Sequence, residues 1–470
     1  MAAVLALAFA LRVGVLWIAP GVPHPDQIYQ YFEPAYRLLT GDGIVTWEWR
    51  KGIRGWLLPT VIALPMSVGR LVGGTVGLQL PNIVMAALST TIVWTAWQLG
   101  ARRSDNAALV AAVAAATWYT LIYFAPRTLS EPIATALLFP AALWLASAEA
   151  TPRKLAAAGM LVALAVIVRP HYAPAAGVMT LVALERRLPS AFLPVALGGL
   201  AALAIGALAD LSQGQTPLAW VIQNVQANVV EDKASTYGTE PPTFYLVHWW
   251  HAWGWWTPAV AAGFVLGWRV SPALAAAALV NVALHSLIGH KEVRFVFLSE
   301  AAIVIIGAIG LAGLAERWKL SPALPIALWI AASMLAATSR EDVGTWRKNR
   351  PGMLAFEALR HDSQACGLAL VGAGFDEVPG RSHLPPGVPM AQFADRDPRV
   401  GDPRLAFAPF AGSYNRVFAP LRAPPVGYRP VLCANDRAEP YCLMARPGGC
   451  ATRPDLAEWD VQAVLNRSGR

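Results

Sequence analysis

The chain has 470 residues, of which 56% are hydrophobic and 14% charged, with a mean hydropathy of +0.45 and a formal net charge of +8. That composition excludes a soluble enzyme of ordinary make-up, a disordered chain and a small disulfide-stapled fold, and it indicates a polytopic membrane protein. Residues 1–340 hold 21 Lys+Arg against 15 Asp+Glu, a net +6, which leaves +2 for residues 341–470, where the remaining 30 of the 66 charged residues are concentrated. The expected organisation is a membrane domain over 1–340 and a soluble, non-cytoplasmic domain over 341–470. Basic residues near spans then read as topology determinants and not as a nucleic-acid surface.

Apolar runs occur at about 3–18, 80–100, 106–125, 131–149, 155–168, 172–184, 190–209, 252–268, 272–289, 295–314 and 321–338. They predict about 11 transmembrane helices. The first run has no basic residue before Arg12 and no clear small-x-small cleavage site, so it reads as a retained anchor and not a signal peptide. Arg102-Arg103, Arg153-Lys154, Arg186-Arg187, Arg269 and Arg317-Lys319 fall at every second junction, which the positive-inside rule makes cytoplasmic. The segment 55-GWLLPTVIALPMSVGRLVGG-74, with two prolines and Arg70, is predicted as an interfacial or re-entrant helix, because a full span there would invert everything after it.

The remaining junctions face outward and carry the polar chemistry. The first, within residues 19–55, reads 24-HPDQIYQYFEPAYRLLTGDGIVTWEWRKGIRGW-56. Pro25 opens a predicted amphipathic helix with Ile28, Tyr31, Phe32, Ala35 and Leu38 on one face, lying along the membrane surface. Two readings of Asp26 stand: a helix cap, or a general base over a membrane cavity. Further along come 127-RTLSE-131, the basic corner at Arg169 and His171, the loop 210–250, and 290-HKEVR-294. In the last, His290, Lys291 and Arg294 supply donors for a phosphate, or anchor a span end; at helical spacing His290 and Arg294 share a face. Trp249, Trp250, Trp253, Trp255 and Trp256 fit an aromatic belt or a stacking surface for a sugar or isoprenoid, beside the hydrophilic 231–242, which reads as a lid; His248 and His251, three apart with no third ligand nearby, read as interfacial histidines.

The soluble part holds all four cysteines, Cys366, Cys433, Cys442 and Cys450, which predicts at least one disulfide in an oxidising space. Four buried thiols is the competing reading. The apolar runs 366-CGLALVGAGF-375 and 429-RPVLCAND-436 predict strands of a small α/β domain, with Gly372-Ala373-Gly374 as a turn.

The runs HPDQ…YFEPAYRLLTGDGIVTWEW…GIRGW and HKEVRF, supported by RTLSE, VRPHY and 237-YGTEPPTFYLVHWW-250, resemble the signatures of glycosyltransferase family 22 over about residues 1–340. These are GT-C-type mannosyltransferases of N-glycan and GPI-anchor assembly and their bacterial relatives. The resemblance implies a polyprenyl or dolichyl phosphate mannose donor and inverting transfer to a glycan or glycolipid acceptor on the non-cytoplasmic face; with one base and a cationic clamp, such a scheme requires no nucleotide, metal or other cofactor. It implies Asp26 as base and a donor phosphate held by His290, Lys291, Arg294 and Arg169. It further implies substrate contacts among His24, Gln27, Glu33, Trp47, Glu48, Arg54, Glu131, His171 and Tyr237. Where the family usually has HPDE or HEDE, this chain has His24-Pro25-Asp26-Gln27, so Asp26 is the one acid of the motif.

The alanine-rich, lysine-poor composition suggests a bacterial inner membrane with a periplasmic site; an endoplasmic reticulum membrane is the alternative. A transporter or flippase for a lipid-linked sugar is the rival reading, and it predicts ionisable residues near the bilayer midplane and internal repeats. A GT-C transferase for a different sugar is the other.

Overall fold

The computed structural model describes residues 1–339, 346–394, 397, 399–435 and 439–468. Each of the eleven predicted runs carries a helix, running from Ala2–Ile18 and Gly74–Ala101 to Phe297–Arg317 and Ala323–Ala337. Gly74–Ala101, Pro189–Leu211 and Val293–Arg317 are each long and apolar enough to cross a membrane. The chain divides into two compact units. The first comprises 1–15, 53–58 and 82–343; the second comprises 16–52, 59–81 and 344–470. The predicted boundary at 340/341 falls outside the described residues. The finding that sequence did not anticipate is that the first loop and the segment after it group with the C-terminal part.

In the first unit, helices approach closely through small residues. At Gly263 and Gly310 an added Cβ would overlap the facing helix backbone, so Trp256–Gly267 and Phe297–Arg317 meet main chain to main chain. The predicted run 106–125 is broken. Asp105–Thr117 ends, Trp118 turns extended (φ −65°, ψ 126°), and Tyr119–Tyr123 restarts. A break in an apolar helix frees carbonyls that lipid cannot satisfy. Here the guanidinium of Arg12, fully buried, donates to the carbonyls of Ala115 and Ala116 at 3.0 and 3.4 Å. On the other side of the break, the carboxylate of Glu300 accepts from the Trp118 indole (2.9 Å) and the Thr120 hydroxyl (2.6 Å).

The second unit is built on a five-stranded mixed sheet. Its strands are β1 (Leu368–Val371), β2 (Met390–Phe393), β3 (Arg416–Pro420), β4 (Arg429–Asn435) and β5 (Pro440–Ala445), in the order β2-β1-β3-β5-β4. The first three are parallel to one another; β5 runs antiparallel to β3 and β4. Ala369, Val371, Phe393, Val417, Tyr414 and Met444 form its core. The cysteines pair as Cys366–Cys450 and Cys433–Cys442, the latter joining neighbouring strands. Gly372 (φ 68°) makes the predicted turn after β1.

The predicted surface helix of the first loop takes another form. Gln27–Phe32 is a π-helical turn followed by Glu33–Thr40, and residues 27–35 are buried on every side. Tyr29 donates its hydroxyl to the carbonyls of Phe375 and Val378, and Phe32 packs on His383. Apolar residues that would otherwise lie against lipid pack here on the C-terminal domain. The segment 55–74 forms the helix Leu57–Val72 with Pro65 inside it; Gly73 and Gly74, both at positive φ, then reverse the chain into Gly74–Ala101. Gly69 and Gly77 face each other so closely in this hairpin that a Cβ on either would overlap the other's backbone.

Candidate active site

Three helix ends of the first unit bring charged side chains together. Pro170 disfavours the helical conformation for the residue before it, so Pro152–Val168 stops and Arg169 adopts φ −137°, ψ 86°. Its buried guanidinium stacks 4.7 Å over Phe295 and reaches Glu131 at 3.2 Å. Glu131 lies in the first turn of Ser130–Leu145, where the helix dipole favours a carboxylate, and is 0% exposed. Arg294, from the short 3₁₀ turn Val293–Val296, donates to the same Glu131 oxygen at 2.8 Å and to Glu292 at 2.7 Å. Arg54 lies near enough to act on His171 together with Arg169 and Arg294.

The sum is three guanidinium groups against two carboxylates, Glu131 and Glu292, in a largely buried setting. The Nε atoms of Arg54 and Arg169 and Nδ1 of His171 are buried and find no hydrogen-bond partner among the described residues. Burial, reinforced first by Arg169, holds the His171 imidazole well below its usual range, so it is neutral. An uncompensated buried cation demands an anion. Of the sequence candidates, then, Arg54, Glu131, Arg169, His171 and Arg294 converge.

His290 and Lys291 are engaged differently. The helix Pro272–Leu287 ends as Ile288 turns extended, so residues 288–292 are not helical and the shared face predicted for His290 and Arg294 does not form. Lys291, 6% exposed, donates to the backbone carbonyls of Ile288, Gly289 and Glu240, the last at 2.8 Å. His290 contacts the Gly238 carbonyl through Nδ1 (3.0 Å) and Glu292 through Nε2 (3.1 Å), and Tyr237 packs beside its ring. Together with the Glu240 N–H bonded to Gly289, these contacts fasten residues 238–240 onto the 289–291 turn. The hydrogen bond to Glu292 raises the His290 pKa above its ordinary value despite partial burial.

The other candidates belong to the second unit. Asp26 precedes the π-helical turn, and its side chain makes no capping hydrogen bond; instead its carboxylate lies 3.2 Å from Nδ1 of His24. Gln27 is buried. Glu33 is 0% exposed, and its two oxygens accept from the backbone N–H groups of Ser382 (2.6 Å) and Ile44 (2.7 Å). That geometry gives Glu33 the work of joining the first loop to the C-terminal domain. Burial raises its pKa, with the two N–H donors opposing. Glu48 is 3.5 Å from the Gln30 amide, and Trp47 opens the short helix Trp47–Arg50.

The model of the Alg9-like mannosyltransferase family matches residues 3–365. The chain belongs to this family. It is 29% identical over 314 residues to GPI mannosyltransferase 3 of Yarrowia lipolytica, covering 63% of this chain and 59% of that protein. It is 27% identical over 353 residues to GPI alpha-1,2-mannosyltransferase 3 of Bos taurus, covering 70% and 61%. The chain thus spans about three fifths of the length of the curated relatives it matches. In fold it is similar to the crystal structure of ArnT from Cupriavidus metallidurans bound to undecaprenyl phosphate, with a TM-score of 0.58 at 11% identity, covering 96% and 99% of the two chains. A GT-C architecture follows.

Within this family member, sequence reading passed over Glu300 and His285. Both are polar residues inside apolar runs, a placement that is itself a signal. The tryptophans separate by burial. Trp249 and Trp253 stack 5.3 Å apart inside a cluster with Trp118 and Trp329, whereas Trp250 and Trp255 are exposed like belt residues. His248 is buried and stacks on Phe244, and His251 is exposed.

Proposed function

We propose that the chain is an inverting mannosyltransferase that moves mannose from a polyprenyl-phosphate-linked donor to a glycan or lipid-linked acceptor on the non-cytoplasmic membrane face. The observation that carries this reading is the buried assembly of Arg169 and Arg294 on Glu131; with Arg54 near enough to act on His171, the cluster has an excess of positive charge that matches a lipid phosphate. Membership of the Alg9-like mannosyltransferase family supports mannose as the sugar. In this scheme the carboxylate of Asp26, not engaged as a cap, removes the proton of the acceptor hydroxyl. The oxygen attacks the anomeric carbon, and polyprenyl phosphate leaves from the opposite side with the C–O electron pair. Phosphate is already a weak base, so the departing charge needs cations more than a proton. Arg169 and Arg294 provide them, while His290 and Lys291 secure the neighbouring loop. A bacterial inner membrane with a periplasmic catalytic face suits the composition and the oxidised cysteines.

The test is transfer of labelled mannose from synthetic polyprenyl phosphate mannose to a lipid-linked glycan acceptor in detergent. Formation of a glycosidic bond supports the reading. Movement of the lipid-linked sugar across a bilayer without bond formation would replace it with a flippase.

A further inference from the structure

His285 is a buried polar residue of the first unit for which the proposed transfer has no task. It lies in the last turn of Pro272–Leu287, 2% exposed, with Nδ1 2.9 Å from the carbonyl oxygen of Asn281 one turn earlier. A carbonyl only accepts, so the hydrogen is on Nδ1 and Nε2 presents a lone pair. That Nε2 is buried and has no partner among the described residues. Its ring lies 6.4 Å from His171, whose own Nδ1 is unpartnered, 6.4 Å from Tyr172, and 5.8 Å from the Phe295 ring on which Arg169 stacks. An orphaned acceptor thus lies in the same neighbourhood as the guanidinium cluster.

The chemistry of the two groups divides the ligand. A glycosyl phosphodiester has only acceptor oxygens on its phosphate, and these suit Arg169 and Arg294 but repel a nitrogen lone pair. The donors such a molecule carries are its sugar hydroxyls. We propose that His285 is a specificity-determining residue whose Nε2 accepts a hydrogen bond from one hydroxyl of the donor sugar while the phosphate is held by Arg169 and Arg294. The inference rests on the mannosyl transfer proposed above. It adds that the sugar is selected at His285 through a single hydroxyl.

The experiment compares kcat/KM for polyprenyl phosphate mannose and its 2-, 3-, 4- and 6-deoxy analogues, using the full chain in detergent, as wild type and as His285→Phe. Each ratio is referred to wild type, which removes the intrinsic effect of deoxygenation on reactivity. Wild type is expected to disfavour one analogue by about 10²-fold or more, since a site with an orphaned polar atom rejects a ligand that leaves it unpaired. In His285→Phe that one ratio, divided by its wild-type value, should fall to about 10⁻², while the other three quotients stay within about threefold of unity. Should the phenylalanine variant fold without turning over, the same ratios are read from donor binding; should it fail to fold, they are read from His285→Gln, whose amide oxygen should retain part of the preference. Four ratios identical in wild type and variant would overturn the inference and leave the transfer reading intact. No transfer from the mannose donor by wild type would overturn both.

Discussion

The carboxylate of Glu131 accepts from Arg294 at 2.8 Å across 163 residues of sequence, and both side chains are buried. Arg169 reaches the same oxygen at 3.2 Å. One carboxylate therefore sets the separation of two guanidinium groups that would otherwise repel each other; Glu292 on Arg294 balances the second charge, and the excess of the cluster comes from Arg54. Fixing cations before the anion arrives spares reorganisation during the reaction.

Replacing Glu131 by Gln keeps the shape and removes the charge. Breaking a buried ion pair from one side costs about 3–5 kcal/mol. Glu131→Gln should therefore lower the thermal unfolding temperature in detergent, and it should weaken transfer far more than Glu33→Gln, whose carboxylate serves two backbone N–H groups. Equal activity losses for the two variants would show that the arginine pair has no particular tie to the reaction.

The fastening of residues 238–240 should depend on pH through His290. Its pKa is raised by the hydrogen bond to Glu292, so the imidazolium form is favoured in the folded state. The contribution is fully present below the unfolded value near 6.5 and is lost as pH rises through the higher folded value. Limited proteolysis within 231–242 should accelerate as pH is raised above 6.5, and His290→Gln should flatten the dependence. Cleavage that slows with rising pH would contradict the assignment.

The two disulfides should differ in worth because the loops they close differ. Cys366–Cys450 spans 84 residues and Cys433–Cys442 spans 9. Loop-closure entropy gives about 4–5 and about 2–3 kcal/mol respectively. Cys366→Ser should thus depress the unfolding temperature more than Cys433→Ser, and unreduced, denatured wild-type protein should react with no alkylating agent at its four cysteines.

Much of this was readable from sequence, and the failures have a common cause. Apolar runs announce their helices because the lipid-facing signal is local to each run. The break at Trp118 was invisible because what makes it tolerable, Arg12 and Glu300, comes from two other helices. Ile28–Ala35 looked like a surface helix because the aromatic ring packed on Tyr29 belongs to Phe375. The helical spacing assumed for His290 and Arg294 failed at Ile288; Gly289, the next residue, marks the exit, and the apolar run around it hid that signal. Asp26, Arg169 and Arg294 stood out as ionisable residues in recognisable motifs; His285 did not, because a lone histidine in an apolar run resembles a satisfied core residue until its partners are traced.

The central claim is tested most directly by one assay: mannose transfer from polyprenyl phosphate mannose by the wild type and by Asp26→Asn, with the configuration of the product determined. The amide keeps the shape of the carboxylate but accepts no proton at neutral pH, and a general base contributes about 10²–10⁴-fold. The expected result is a product of inverted configuration from the wild type and a loss of at least about 10²-fold in Asp26→Asn, with donor binding retained. An Asp26→Asn variant within about tenfold of wild type, or a product that retains the donor's configuration, would contradict it.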